Sequence, residues 1–87
     1  MSTSGNPVPA TQAARAVRAW VQGRKVWIEL EDGRELGFPA DKYRRLREAS
    51  DELLAKVRLE ARGKALRWEE LDEDLTVAGV LAARWLP

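Results

Sequence analysis

Apolar and polar residues alternate twice in close succession near the start of the chain. From Arg15 to Gln22, residues Val17, Ala19 and Val21 fall on one side and Arg18, Trp20 and Gln22 on the other; from Lys25 to Glu31, residues Val26, Ile28 and Leu30 oppose Trp27 and Glu29. A period of two is that of a half-buried strand, so the pattern predicts two strands. Joined by a two-residue Gly23-Arg24 turn with glycine first, as a type II′ turn requires, they pair Val21 with Val26, Ala19 with Ile28 and Val17 with Leu30. The opposite face then matches Trp20 with Trp27 and Arg18 with Glu29, the aromatic and opposite-charge pairs that stabilise antiparallel ladders. A third strand follows. The three-residue loop Glu31-Asp32-Gly33, with Gly33 left-handed in a bulge, sets Leu36 opposite Ile28 and Phe38 opposite Val26. A plain two-residue Asp32-Gly33 turn would instead put Leu36 and Phe38 on the tryptophan side.

The period then changes. Pro39 suits the first turn of a helix, and Ala40 to Ala49 carries Tyr43, Leu46 and Ala49 as one apolar stripe. Ser50 followed by Asp51 and Glu52 predicts an N-cap and a second helical turn that brings Leu53 and Leu54 inward. Alternation resumes at Val57 to Ala61 and at Ala65 to Trp68 around an Arg62-Gly63-Lys64 turn, which predicts a second hairpin with Val57 and Leu59 facing Leu66 and Trp68. Thr76 predicts the N-cap of a last helix with Val77, Val80, Leu81 and Trp85 on one side. Residues 1–14, rich in Ser, Gly, Asn and Pro without an apolar period, read as a disordered tail. The expectation is one α+β domain over residues 15–87: a small antiparallel sheet, made of an N-terminal three-stranded meander plus a second hairpin, with two or three short helices.

Composition narrows the chemistry more than it suggests any. The chain of 87 residues has no Cys and no His, which removes disulfides, thiolate or imidazole zinc ligands and the common Ser-His and Cys-His nucleophiles. Fifteen basic against 14 acidic residues leave a net charge of +1, so electrostatic recognition has to come from local patches. No stretch approaches the roughly 20 apolar residues that span a bilayer. Met1 to Thr11 does not read as a signal peptide, and the expected location is the cytoplasm.

Several segments together resemble a known family. These are Asp32-Gly33-Arg34; Pro39 with Tyr43 and Leu46; Gly63-x-x-Leu66-x-Trp68; and Leu71-Asp72-Glu73-Asp74-Leu75-Thr76-Val77-x-x-Val80-Leu81. They are similar to the small bacterial and phage family called domain of unknown function twenty-four forty-two, over roughly Arg15 to Leu81. Arg44 stands where family members often have proline, a departure that touches helix shape. The resemblance implies a compact α+β domain without a catalytic motif, and frequent coding beside another small protein in a manner similar to toxin–antitoxin pairs. It supplies no catalytic residue and no cofactor.

Three surfaces are candidates for function. The acids Glu69, Glu70, Asp72, Glu73 and Asp74 invite a metal reading, but the spacing of a calcium loop is absent. Asp72 and Asp74 stand before a helix N-terminus, where carboxylates are favoured by free N–H groups; with Trp68, Leu71 and Thr76 they form a structural motif rather than a metal site. Lys42 and Arg47, joined by Arg18 and Arg24, would contact phosphates if the fold gathers them; Asp41–Arg45 and Arg44–Glu48 are expected to pair along the helix. Trp20 and Trp27 on the outer sheet face are the candidate protein interface, because exposed aromatic pairs mark contact surfaces; the competing expectation is a second core layer made by the last helix and Trp85. The functional expectation is a non-catalytic protein-binding module whose partner is another small protein, toxin-like in kind, or a second copy. A nucleic-acid-binding or transcription-regulatory accessory role through the basic helix is the alternative.

Overall fold

The structure, a computed structural model, describes residues 14–82. Of the tail reading over residues 1–14, residues 1–13 lie outside them, as does the placement of Trp85, while Ala14 is half-buried against the core. In chain order the elements are β1 (Ala16–Gln22), β2 (Lys25–Leu30), β3 (Glu35–Pro39), a 3-10 turn (Ala40–Lys42), α1 (Arg44–Arg47), α2 (Asp51–Leu54), β4 (Arg58–Glu60), a 3-10 turn (Ala61–Gly63), β5 (Ala65–Trp68), a 3-10 turn (Glu69–Leu71), β6 (Glu73–Thr76) and α3 (Val77–Leu81). The fold is a small α+β one. The strands form two three-stranded antiparallel meanders, ordered β1-β2-β3 and β4-β5-β6. A helical segment follows each meander, so the chain runs through a strand-strand-strand-helix pattern twice.

The first meander has the register that both of its faces demand. Val21 pairs with Val26, Ala19 with Ile28, Trp20 with Trp27 and Arg18 with Glu29; Leu36 then faces Ile28 and Phe38 faces Val26. Gly33 is left-handed, with φ of 94°, and its N–H donates to Leu30 O across the Glu31-Asp32-Gly33 loop at 2.9 Å. Two details differ from the sequence pattern. Gly23 and Arg24 both have positive φ, at 58° and 65°, the signature of a type I′ turn, whose twist suits the flanking strands without requiring glycine at the first position alone. The register also shifts between Ala16 and Arg18, so that Ala16 rather than Val17 lies opposite Leu30. Val17 is thrown outward and is 54% exposed, whereas Ala16 is buried. A bulge adds one residue to a strand and re-aims its neighbours; Ala16 fits here because the second meander approaches so closely at this point. A Cβ on Gly63 would run into the Ala16 carbonyl, and Gly63 has φ of 86°.

The helix expected over Ala40–Ala49 is broken. Pro39 ends β3 instead of opening a helix, and Tyr43 is extended, with φ of −112° and ψ of 125°, between the 3-10 turn and α1. The break leaves Ala40, Leu46 and Ala49 all buried. Ser50 caps α2 as expected, its Oγ accepting from Leu53 N at 3.1 Å, and Thr76 caps α3, its Oγ1 accepting from Gly79 N at 2.9 Å.

The C-terminal half holds one more strand than the alternation predicts. Leu59 faces Leu66 as expected, but Glu73–Thr76 forms β6, which pairs Leu75 with Leu66 and Asp74 with Arg67. The second unit is therefore a meander, not a hairpin. Asp72 is left-handed, with φ of 51°, and turns the chain into β6; it does not lead directly into the last helix.

Both meanders and the helices contribute to one core. Val26, Ile28 and Phe38 from the first meet Leu66, Trp68 and Leu75 from the second, with Leu46, Leu54, Val77 and Val80 from the helices. Trp68 is 1% exposed, and its Nε1–H donates to Leu54 O at 2.9 Å. That bond satisfies a polar atom which burial would otherwise leave unpaired. Among the described residues, no helix is long and apolar enough to cross a membrane.

Candidate functional site

The register arranges the outer face of the first meander as three cross-strand rows. Arg18, Glu29 and Glu35 form one, Trp20, Trp27 and Gly37 the middle one, and Gln22, Lys25 and Pro39 the third. In the middle row the two indoles are near-parallel, with centroids 6.4 Å apart and planes inclined by 12°. Trp27 lies flat across β3: a Cβ at Gly37 would sit 2.8 Å from its ring. Glycine here makes room for the indole, and it closes the row that two tryptophans begin. Arg18 places its guanidinium carbon 4.3 Å from the Trp20 centroid, and Lys25 Nζ is 5.4 Å from that of Trp27, distances at which a cation is attracted by the ring face. Both tryptophans are half-buried; neither is in the buried core.

The charges of this face are unequally engaged. Arg18 Nε is 2.9 Å from Glu29 Oε1, and its Nη2 is 3.9 Å from Glu35 Oε2. Lys25 makes no ion pair with any described residue and leans on the indole alone. One row thus carries two carboxylates against one guanidinium, and the row across the tryptophans carries a single ammonium.

The basic set is not gathered into one stripe. Arg24, held left-handed in the first turn, reaches into the helical segment. There its guanidinium donates to Ala49 O at 2.8 Å, Leu46 O at 3.1 Å and Arg47 O at 3.0 Å. It also pairs with Asp41 at 3.0 Å and Asp51 at 3.1 Å. These carboxylates raise its pKa, Asp41 most. Arg24 therefore ties the helical segment to the first hairpin, satisfying carbonyls that the end of α1 leaves free. Asp41 is drawn to Arg24 instead of Arg45, and Arg45 donates to Asp72 O at 2.6 Å and lies 3.9 Å from Glu73. No Arg44–Glu48 pair forms among the described residues. With Arg18 over Trp20, Lys42 and Arg47 are the two of the four expected phosphate contacts that keep exposed side chains pairing with no acid among the described residues.

The acidic run is organised by an arginine. Arg67 donates to Glu69 at 3.0 Å, Asp72 at 3.2 Å and Asp74 at 2.8 Å, and these bonds raise its pKa, Asp74 most. Arg58 adds a second bond to Glu69 at 3.1 Å, and Lys56 pairs with Glu70 at 3.1 Å. A guanidinium stands where the metal reading would put a cation. Among the described residues no group of three or more acids is disposed to hold a metal ion. Beside this network an open cavity of about 300 Å³ lies between α2 and the β5–β6 turn, lined by Leu53, Leu71 and the edge of Trp68, with Lys56, Arg58, Glu69 and Glu70 around its mouth. Those four side chains already neutralise one another in pairs.

Sequence reasoning found the two tryptophans but not the residues that complete their face. Gly37 and Glu35 would have followed from extending the register by one strand. The role of Arg67 was hidden because Asp74 was not recognised as its cross-strand neighbour; that of Arg24 depends on a contact between segments 25 residues apart, as in its bond to Ala49.

The two meanders, each followed by a helix, and the Trp-to-Thr motif of β5 and β6 define this chain as a small α+β domain. It belongs to the family described as Protein of unknown function (DUF2442), whose model matches residues 16–84. A protein of unknown function from Rhodospirillum rubrum is similar in structure, at 35% identity and a TM-score of 0.76, over 80% of this chain and 87% of that one. An uncharacterized protein from Chromobacterium violaceum, solved by NMR, shares the fold at 20% identity and a TM-score of 0.74, over 100% of this chain and 90% of that one. No curated protein matches the chain.

Proposed function

We propose that this chain is a non-catalytic protein-binding module of the bacterial cytoplasm, and that its contact surface is the outer face of the first meander. The observation that supports the reading is the row of stacked Trp20 and Trp27 on Gly37, flanked by Arg18 and Lys25. Two large rings held rigidly on a sheet, outside the core, lose little conformational entropy on binding and offer much apolar area. The partner is another small protein, a toxin-like one being the kind the family resemblance implies, or a second copy of the chain. A non-catalytic role accords with the absence of Cys and His and with carboxylates that neighbouring arginines already neutralise.

The test is purification of the tagged chain from its source organism with and without nuclease, alongside a Trp20→Ser/Trp27→Ser variant checked for folding by circular dichroism. The expected result is a stoichiometric protein partner that survives nuclease and is lost with the two rings. A partner retained by the folded variant would remove this face from the proposal. Recovery of nucleic acid alone would favour the alternative built on Lys42 and Arg47.

A further inference from the structure

We infer that the face carrying Trp20 and Trp27 is self-complementary, and that its first occupant is a second copy of this chain, packed face to face about a two-fold axis along the tryptophan row. The inference rests on the binding-face reading above and adds the partner and the geometry. A two-fold that brings two sheet faces together must lie in the plane between them, and it returns the same patch on both copies. Two orientations are natural for this three-by-three grid. With the axis along the strands, Lys25 would oppose Lys25 of the other copy and Glu29 would oppose Glu29, two repulsions that offset the Arg18–Glu35 contacts this axis also makes. With the axis across the strands, along Trp20, Trp27 and Gly37, the first and third rows exchange. Lys25 then lies opposite Glu29 of the second copy, with Glu35 one strand away.

The state of each charge in the single chain favours the second arrangement. Lys25 has no carboxylate partner among the described residues, while the row it would meet has two carboxylates sharing Arg18, at 2.9 Å and 3.9 Å. Glu35 is half exposed and so has capacity for a further cation. Opposite charges across an interface set orientation and reject wrong pairings more than they add raw affinity. The apolar contribution comes from four indoles meeting along the axis.

The face is small. Strands about 4.8 Å apart and rows about 6.8 Å apart give, with side chains, roughly 300–400 Å² per copy, below the roughly 800 Å² per partner of a stable interface. The dimer is accordingly weak and forms only at high protein concentration.

Charge reversal tests both the partner and the orientation. Sedimentation equilibrium of the purified chain should show its weight-average mass rising from the 9.8 kDa of one chain toward twice that value with concentration. Lys25→Glu alone, and Glu29→Lys alone, should each weaken association at least about tenfold, since one row then repels its counterpart. An equimolar mixture of the two variants should regain it, because both cross-copy contacts become opposite in sign again. A wild-type chain that stays monomeric, variants that associate as wild type does, or a mixture that fails to recover would each overturn the inference. If the pure chain is monomeric and the double tryptophan variant still loses a distinct protein from the cell, the second copy is rejected while the binding face stands. If that variant loses nothing, both are rejected.

Discussion

Replacing Trp68 should separate the two contributions this side chain makes to the core. The ring is 1% exposed, and a fully buried Trp removes roughly 200 Å² from water, worth about 5 kcal/mol at 25 cal/mol per Å². Alanine keeps the Cβ share of that and leaves a cavity that collapses only in part, so Trp68→Ala should cost about 3–5 kcal/mol. Trp68→Phe keeps most of the apolar volume but removes Nε1–H, which holds Leu54 O at 2.9 Å. Leu54 O still accepts from the Val57 N–H at 3.3 Å, so the lost bond costs about 0.5–1.5 kcal/mol, and with the modest cavity term of the smaller ring the total is about 1–3 kcal/mol. The order is therefore wild type, then Phe, then Ala. Urea unfolding followed by far-ultraviolet circular dichroism reads these values from the midpoint, with an unchanged slope as the check that the unfolded states are alike. Domains of this size have total stabilities near the lower part of the 5–15 kcal/mol range, so the alanine variant should keep only a small part of its stability and melt well below wild type. A Trp68→Phe variant within about 0.5 kcal/mol of wild type would refute the claim that the indole N–H serves the end of α2.

Gly37→Ala should destabilise the chain by about 1–3 kcal/mol and change the near-ultraviolet circular dichroism of the tryptophans, because its Cβ would sit 2.8 Å from the Trp27 indole; unchanged ellipticity would mean that Trp27 does not lie on β3. Gly63→Ala should cost more than the few tenths typical of a surface change, since φ is 86° and the new Cβ meets the Ala16 carbonyl; thermal denaturation gives the comparison. The Asp32 carboxylate is held below its ordinary value of 3.8, chiefly by the Arg34 N–H, with burial opposing and the Arg34 side chain adding. A group whose pKa falls on folding stabilises above its unfolded value and loses that contribution as pH drops through the folded one. The stability difference between wild type and Asp32→Asn should thus be constant from neutral pH down to about 5 and then shrink with further acid; a difference that grows in acid would contradict the assignment. Arg24→Lys should lower the melting temperature, because an ammonium cannot bridge Asp41, Asp51 and three carbonyls at once; a melting temperature equal to wild type would show that the fork is not needed.

What the sequence revealed of this fold follows from how many constraints bore on each element. The first meander was legible because the inner apolar pairs and the outer Trp20–Trp27 and Arg18–Glu29 pairs agree on one register, and a slip by one residue would break every pair together. The bulge at Val17 was not legible, because Ala16 and Val17 are both apolar and only the approach of Gly63 to Ala16 decides between them. Tyr43 breaks its helix without Pro or Gly; the Arg24 guanidinium fastens the flanking segments instead, a contact that local pattern does not carry. Strand β6 was obscured by its acids, since Glu73 and Asp74 suit a helix approach as well as a strand; the alternation of Leu75 and the opposition of Asp74 to Arg67 were the available signals. For the site, the two rings were visible in the register, while the clamp by Arg24 and the hub at Arg67 depend on tertiary contacts.

The most direct test of the binding face is to follow the indole N–H resonances of the four tryptophans by ¹⁵N NMR as the concentration of the chain is raised or the purified partner is added. The Trp20 and Trp27 signals should move and saturate while that of Trp68, bonded to Leu54 O inside the core, stays in place. Signals of Trp20 and Trp27 that remain fixed while a bound species forms would contradict this face as the contact surface.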